Sequence, residues 1–366
     1  MDKIGFFISD RKWSNYQRWV YNTAIALYAE GQEVEVVVSK KSHLYTRLKR
    51  YGIEVIAFRK SGFLPADAMR LYPICKERHL SNLIFNHPRD IRITGMVARF
   101  YSFNKLVFRL GTLPVKSRNQ LDHYLVKKYV SSVITNSKAN KEAMKKSRSS
   151  LFRDKPVTVI YNGIKNTSND EPIQIPDYKF RKNGEIIVGL SDCAHNRKFC
   201  KQLLDYLKYI DLDSEQIRFL IFPDWRSNSS FAQEFSKLKF PETVNFYPQK
   251  SHITDFMQNI DIYLSPVVGK SFNYSLVYAM AHRKPVLALY GGSNIEIVGN
   301  QRNGYLVEAD QMEELLEKLN HLRDEQLRKT MGQEGMNLVR RKFTYQSSVK
   351  KIRQVVNNQS GTLSTS

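Results

Sequence analysis

Apolar residues recur along the chain in short runs, separated by longer stretches in which they return at helical spacing. The runs at residues 3–9, 33–39, 53–58, 82–86, 105–109, 130–135 and 157–161 read as strands buried on both faces. Residues 16–30 place Trp19, Thr23, Ala26 and Leu27 on one helical face, and Gly31 stops that helix. Residues 44–51 read as a further helix. A second series starts at 185–190 and continues through 218–222, 244–247, 262–265, 285–289 and 305–307. Helices are expected at 201–209, 275–282, 312–323 (Leu315, Leu316 and Leu319 inward), 325–342 and 345–357. Such alternation predicts an α/β chain with two parallel, doubly wound sheets.

The two series are separated by TSNDEPIQIPDY at 167–178, which is polar, holds two prolines and has no periodicity. The expected organisation is a basic first domain at 1–166, a linker at 167–182 and a second domain at 183–342. A helix at 343–358 and a polar, disordered tail at 359–366 follow.

The 366 residues are 42% hydrophobic and 25% charged, which is a globular composition. No apolar run approaches the roughly 18–20 residues that span a bilayer. The N-terminal apolar stretch is too short for a signal peptide and reads as a first buried strand. Cys75, Cys193 and Cys200 lack metal-ligand spacing and suit a reduced, cytoplasmic setting.

Charge changes the picture more. The formal net charge is +22, and it is uneven. Residues 1–166 hold 31 Lys+Arg and 12 Asp+Glu (31 − 12 = +19), whereas 167–366 hold 26 and 23 (26 − 23 = +3). Much of the excess lies at 116–155, including Lys127, Lys128, Lys138, Lys141, Lys145 and Lys146. A solvated helix face accounts for this, and so does attraction to an anionic lipid surface. Nucleic acid is not expected, because no helix-turn-helix, zinc-finger or RNP-like motif is present.

Residues 260–308 carry the most chemistry. An apolar strand runs into a Ser-Pro and Gly turn, then a capped helix start at 271–273, a small-residue helix, a Pro-Val strand and the pair Gly291-Gly292. A helix N-terminus at the end of a parallel strand suits a diphosphate. The residues Phe272, Ala279-Met280-Ala281, Lys284-Pro285-Val286, Gly291-Gly292, Glu296-Ile297-Val298 and Asn303-Gly304-Tyr305-Leu306-Val307 follow in order. This order resembles the GT-B retaining glycosyltransferases of the group 1 type. Weaker echoes are Ile134-Thr135-Asn136-Ser137, Ile160-Tyr161-Asn162-Gly163-Ile164 and the stretch RRKFT at 340–344. The resemblance implies two Rossmann-like domains facing a cleft, with the last helix crossing back to the first domain. It also implies a nucleotide-sugar donor and no obligatory metal or other cofactor.

The departures are specific. The family's paired glutamates, eight positions apart, are Lys270 and Tyr278 here. Tyr278 offers a hydroxyl where the family's carboxylate meets the ribose. Lys270 could pair with a phosphate or an acidic donor sugar, or mark an altered site. The family's glycine-rich first loop reads SDRKWSN at 9–15, and its Gly-Arg pair reads Gly189-Leu190. Arg197 and Lys198, a few residues on, are either diphosphate clamps or surface charges at a helix start. With Lys270, Phe272, Asn273, Tyr274, Ser275 and Tyr278 they form the expected donor site.

On the acceptor side, His87 and Asp90 follow a strand end, where doubly wound folds place ligands. Arg109 stands where many relatives carry a His-Gly. These three are the candidate catalytic residues, with a structural role for His87 equally open. No Gly-x-Ser-x-Gly elbow or His-Glu-x-x-His is present, and Gly269-Lys270-Ser271 lacks the glycine that opens a P-loop. Asp211-Leu212-Asp213 reads as a solvated turn.

The function expected is sugar transfer, with retention, from a nucleotide-sugar to a cell-surface glycan or glycolipid. It would occur at the cytoplasmic face of the membrane, with the first domain docked on anionic lipid. A non-catalytic binding subunit and a nucleotide-sugar epimerase are the alternatives.

Overall fold

The computed structural model describes residues 2–111, 117, 119–164, 184–211, 216–222, 243–247 and 253–357. The expected linker and tail, and Leu212 and Asp213, lie outside these. The chain divides into two compact units. The first runs to Gly163 and resumes at Tyr345; the second is Ile164–Thr344.

The first unit holds seven strands: β1 (Ile4–Ile8), β2 (Val34–Ser39), β3 (Glu54–Phe58), β4 (Asn82–Phe85), β5 (Lys105–Leu110), β6 (Ser132–Thr135) and β7 (Val157–Val159). All pair in parallel, in the order β3-β2-β1-β4-β5-β6-β7. Their helices are α1 (Asn15–Ala29), α2 (His43–Lys49), α3 (Leu64–Glu77), α4 (Asp90–Val97), α5 (Gln120–Tyr129) and α6 (Lys138–Lys146). Every residue of β1, β2 and β4 is buried, which is why those strands read as unbroken apolar runs. One core gathers Phe6, Ile8 and Val36 with Trp19 and Leu27 of α1. The other gathers Phe7, Phe85 and Phe108 with α3 to α6. Phe108 stacks on Phe152 with centroids 4.3 Å apart. Full burial of such a ring contributes roughly 1.5–3 kcal/mol.

The second unit repeats the plan with β8 (Ile186–Leu190), β9 (Ile217–Ile221), β10 (Val244–Phe246), β11 (Ile262–Ser265), β12 (Val286–Leu289) and β13 (Gly304–Val307). Their order is β10-β9-β8-β11-β12-β13, again parallel. Its longer helices are α7 (Arg197–Leu207), α8 (Ile253–Gln258), α9 (Tyr274–Ala281), α10 (Met312–His321) and α11 (Glu325–Lys342), with a single turn at Asn294–Ile297. Gly304 is fixed by packing, since a Cβ there would lie 2.0 Å from the Val286 carbonyl oxygen.

The last helix, α12 (Tyr345–Asn357), belongs to the first unit. Val349, Ile352 and Val356 bury into the α1 side of the core. Ser348 Oγ donates to the Tyr161 carbonyl at 2.7 Å, and Arg353 pairs with Glu30 at 3.0 Å.

Two sequence expectations change. The inner face of α1 is Gln17, Trp19, Val20, Thr23, Ala24 and Leu27, with Ala26 only half-buried. The expected residues follow one helical stripe, but the packed surface is wider. Helices α3, α4, α5, α6 and α8 lie outside the expected helices, and α3 forms although Pro73 inside it removes a backbone donor.

Candidate active site

In both sheets the first strand lies beside the fourth, so the chain reverses its winding between β1 and β4 and again between β8 and β11. Ligands of doubly wound domains bind outside the carboxyl ends of the strands at that point.

At the β8/β11 end, two helix starts are drawn to one place. Asn196 caps α7, accepting from Phe199 N at 3.3 Å, and its Nδ2 donates to the Pro266 carbonyl after β11 at 3.0 Å. Asp192, after β8, accepts the hydroxyl of Ser275 in the first turn of α9. Ser191 Oγ donates to the same carboxylate oxygen at 3.2 Å, and it lies 2.7 Å from the Tyr263 hydroxyl. Burial, foremost, pushes the Tyr263 phenol well above its ordinary range, so it is a neutral hydrogen-bonding group. The amino ends of α7 and α9 are thus tied to each other's strands. Each first turn carries backbone N–H groups that its own helix cannot use, and the positive end of its dipole.

The loop between β11 and α9 is fixed from below. Asn273 caps α9 through Leu276 N (3.2 Å), and its Nδ2 donates to Ser265 Oγ (2.9 Å) and Asn294 Oδ1 (3.0 Å). Asn294 Nδ2 donates to the carbonyls of Val267 (2.7 Å) and Leu289 (2.8 Å). Ser293 N donates to the Gly269 carbonyl at 2.8 Å, and Ser293 Oγ to that of Ser271 at 2.7 Å. Gly292 has φ +56°, and a Cβ on it would lie 2.1 Å from the Gly269 oxygen. The Gly291-Gly292 pair therefore lets the turn press against the loop.

The expected donor residues divide between support and surface. Phe272 and Asn273 are buried. Phe272 packs on Phe343 (5.5 Å between centroids) and Tyr274 (5.3 Å), so both brace the loop from within. Arg197, Lys198, Lys270 and Tyr274 are exposed. Tyr278 is half-buried, with its ring 5.1 Å from His282 one turn on. Asp192, Asn196 and Ser191 were missed by sequence reasoning, since nothing local marks a partner 83 residues away.

At the β1/β4 end, Asp90 is wholly buried. Its oxygens accept from Ser9 N at 3.1 Å and Ser9 Oγ at 2.5 Å, and Lys60 Nζ donates to Ser9 Oγ at 3.3 Å. Burial raises the Asp90 carboxyl to about 7 against the opposing pull of Ser9 and Lys60. Asp90 clamps the end of β1 and is turned away from solvent, contrary to its expected catalytic position. His87 is half-buried, and burial lowers its pKa. Its Nδ1 accepts from Arg89 N at 3.2 Å, which leaves the neutral ring's proton on Nε2. The ring meets Tyr16 edge-on at 5.1 Å. Arg109 is only 4% exposed, lies 4.8 Å over Trp19 and donates to Asn162 Oδ1 at 2.9 Å. Of the three catalytic candidates, only His87 combines partial exposure with an ionisable ring at a strand end. Among the described residues no group of three His, Cys, Asp or Glu is placed to hold a metal ion.

Paired parallel sheets of this order, with the terminal helix returned to the first unit, define the GT-B fold. A solved glycosyltransferase from Rickettsia africae ESF-5 superposes with TM-score 0.77 at 16% identity, covering 98% of this chain and 99% of that one. Anabaena Alr3699/HepE, solved in complex with UDP-glucose, gives TM-score 0.70 at 19% identity over 96% and 98% of the two chains. Residues 170–338 match the family model of the glycosyl transferases group 1. The capsular polysaccharide biosynthesis glycosyltransferase CapM of Staphylococcus aureus is 26% identical over 266 residues, 69% of this chain and 68% of CapM. Within that fold, residues 170–338 of this chain are similar to the glycosyl transferases group 1, and the similarity to CapM extends over two thirds of the chain.

Proposed function

We propose that the enzyme moves a sugar, with retention, from a nucleoside-diphosphate sugar held by the second unit to a cell-surface glycan or lipid-linked acceptor held by the first. The convergence of the α7 and α9 amino ends on the β8/β11 switch point carries this reading. A leaving diphosphate gains negative charge as the glycosidic bond breaks, and fixed amides and helix dipoles stabilise that charge without a metal. Arg197, Lys198 and Lys270 add exposed positive charge at the same end. The UDP-glucose complex of the structurally similar HepE is consistent with such a donor.

His87 is the residue best suited to meet an acceptor hydroxyl. Docking on anionic lipid at the inner face of the membrane suits α5, where Leu121 (47% exposed) and Tyr124 (51%) accompany exposed Lys127 and Lys128. The substitution of both family glutamates favours a non-catalytic binding subunit as the second reading. A panel of nucleotide-sugars screened by thermal shift, followed by assay of nucleotide release with acceptor glycans, tests the proposal. A donor should raise the melting temperature, and release should need acceptor. No shift with any nucleotide sinks the donor site; a shift without turnover favours the binding subunit.

A further inference from the structure

The carboxyl edge of the first sheet is unevenly charged. Arg11 and Lys12 follow β1, Lys40 and Lys41 follow β2, Arg59 follows β3 and Arg89 follows β4. All six are exposed, and none forms an ion pair with a carboxylate among the described residues. Lys60 adds a seventh positive charge, bonded to the neutral Ser9 hydroxyl. In these four strand-to-helix loops the one carboxylate is Asp10.

The opposite edge of the same strands differs. There Lys3 pairs with Glu33 and Glu35 at 2.9 and 2.6 Å, Arg78 with Glu54 at 3.2 Å, and Arg353 with Glu30 at 3.0 Å. Exposed cations without an ion pair among the described residues occur at that edge too, Arg50 before β3 and Lys76 before β4, but there they alternate with the paired ones. The unpaired cations gather at the edge where doubly wound domains bind ligands.

The width of the patch limits what fits it. The order β3-β2-β1-β4 makes the four strands neighbours, and at about 4.8 Å per strand their ends span roughly 14 Å. One phosphate or carboxylate would reach only part of that width. An extended ligand with several negative charges would meet all of it. Trp13, in the first of these loops, is half-buried and carries the exposed Arg47 guanidinium 4.4 Å from its ring centre, which brings a further cation to the patch.

We infer that the acceptor is a polyanionic oligosaccharide, bound across the carboxyl ends of β3, β2, β1 and β4. This rests on the transferase reading and names the chemistry of its acceptor. The site is separate from the α5 surface assigned to lipid.

The test compares a labelled tetragalacturonate with neutral maltotetraose on the full-length protein at low and high salt. Tetragalacturonate should bind and weaken as salt rises, and maltotetraose should bind far more weakly. The variant K40A/K41A/R59A changes only exposed side chains outside the catalytic candidates. It should bind tetragalacturonate about tenfold or more weakly, with a shallower salt dependence. Its melting temperature, its UDP binding and its binding to phosphatidylserine vesicles should match those of the unaltered chain. Equal binding of the two oligosaccharides, or tetragalacturonate binding unchanged in the variant, overturns the inference. Loss of vesicle binding in the variant overturns it in favour of a lipid-facing patch. Retained UDP binding with lost selectivity would refute the acceptor chemistry alone, whereas absent UDP binding in both chains would refute the donor reading.

Discussion

The carboxylate of Asp192 accepts the hydroxyl of Ser275, joining the end of β8 to the first turn of α9. Asp192 takes a left-handed backbone to do so, with φ +60°. The contact sets a negative side chain against a helix start that otherwise attracts anions. A diphosphate bound here, as proposed, would therefore meet both attraction from the helices and repulsion from Asp192.

The first prediction concerns that repulsion. Asp192→Asn keeps an oxygen to accept the Ser275 hydroxyl and removes the charge. UDP should bind about threefold to tenfold more tightly, as measured by calorimetry at low salt. Weaker binding would mean that the carboxylate supports the ligand through Ser275.

Lys270 should act in the opposite sense. It is exposed on the loop that Ser293 and Asn294 hold in place. On the proposed donor site, Lys270→Glu puts a like charge near the diphosphate and should weaken UDP about threefold to tenfold. Unchanged affinity would place Lys270 beyond the phosphates, near the sugar or outside the site.

The sequence showed these two positions differently. Lys270 stands at a fixed offset within one contiguous motif, and its place at the head of the loop was readable from the strand and cap around it. The strands were equally legible, since β1, β2 and β4 are buried on both faces and must be apolar throughout. Asp192 was not legible, because Ser191-Asp192 looks like any polar turn until the fold brings Ser275 to it. Asp90 was legible as a strand-end carboxylate, but its inward clamp on Ser9, 81 residues earlier, was not.

A third prediction tests the packed turn. At Gly292 the backbone φ is +56°, and a Cβ would collide with the Gly269 carbonyl at 2.1 Å. Gly292→Ala should destabilise the second unit by roughly 2–4 kcal/mol, from left-handed strain and displacement of the loop. Urea unfolding followed by fluorescence reads this, and UDP affinity should fall with it. A change below about 0.5 kcal/mol would mean that the loop yields freely.

Asp90 supplies a pH dependence. Its folded pKa is raised to about 7, above the roughly 3.9 of an unfolded Asp. The folded state therefore holds a proton that the unfolded chain releases, and the stability linked to this group is full below about pH 4. That contribution falls as pH rises through about 7 and is then level. Asp90→Asn removes the titration while keeping polar contacts to Ser9. The difference in melting temperature, variant minus unaltered chain, should rise from about pH 4 to about pH 7 and then flatten. A constant difference across that range would show that Asp90 titrates normally.

The last prediction separates lipid docking from acceptor binding. Helix α5 exposes Leu121, Tyr124 and Lys128 on one helical face, with Lys127 beside them. Lys128 Nζ donates to the Tyr124 hydroxyl at 3.1 Å, so the aromatic ring and the cation are held together. An interfacial helix needs both parts, because charge draws the protein to anionic lipid and the apolar side chains enter the headgroup layer. Lys127→Glu with Lys128→Glu reverses the local charge and should reduce binding to phosphatidylserine vesicles by about tenfold or more at physiological salt. Leu121→Ser with Tyr124→Ser removes the apolar part. It should weaken vesicle binding even at low salt, where electrostatic attraction is strongest. Both pairs lie in the first unit, whereas α7 and α9 belong to the second, so UDP affinity should hold in both. Vesicle sedimentation of the two double variants beside the unaltered chain decides the matter. Loss in the charge variant with no loss in the apolar variant would reduce the contact to electrostatic adsorption, and no loss in either would remove α5 from the membrane surface.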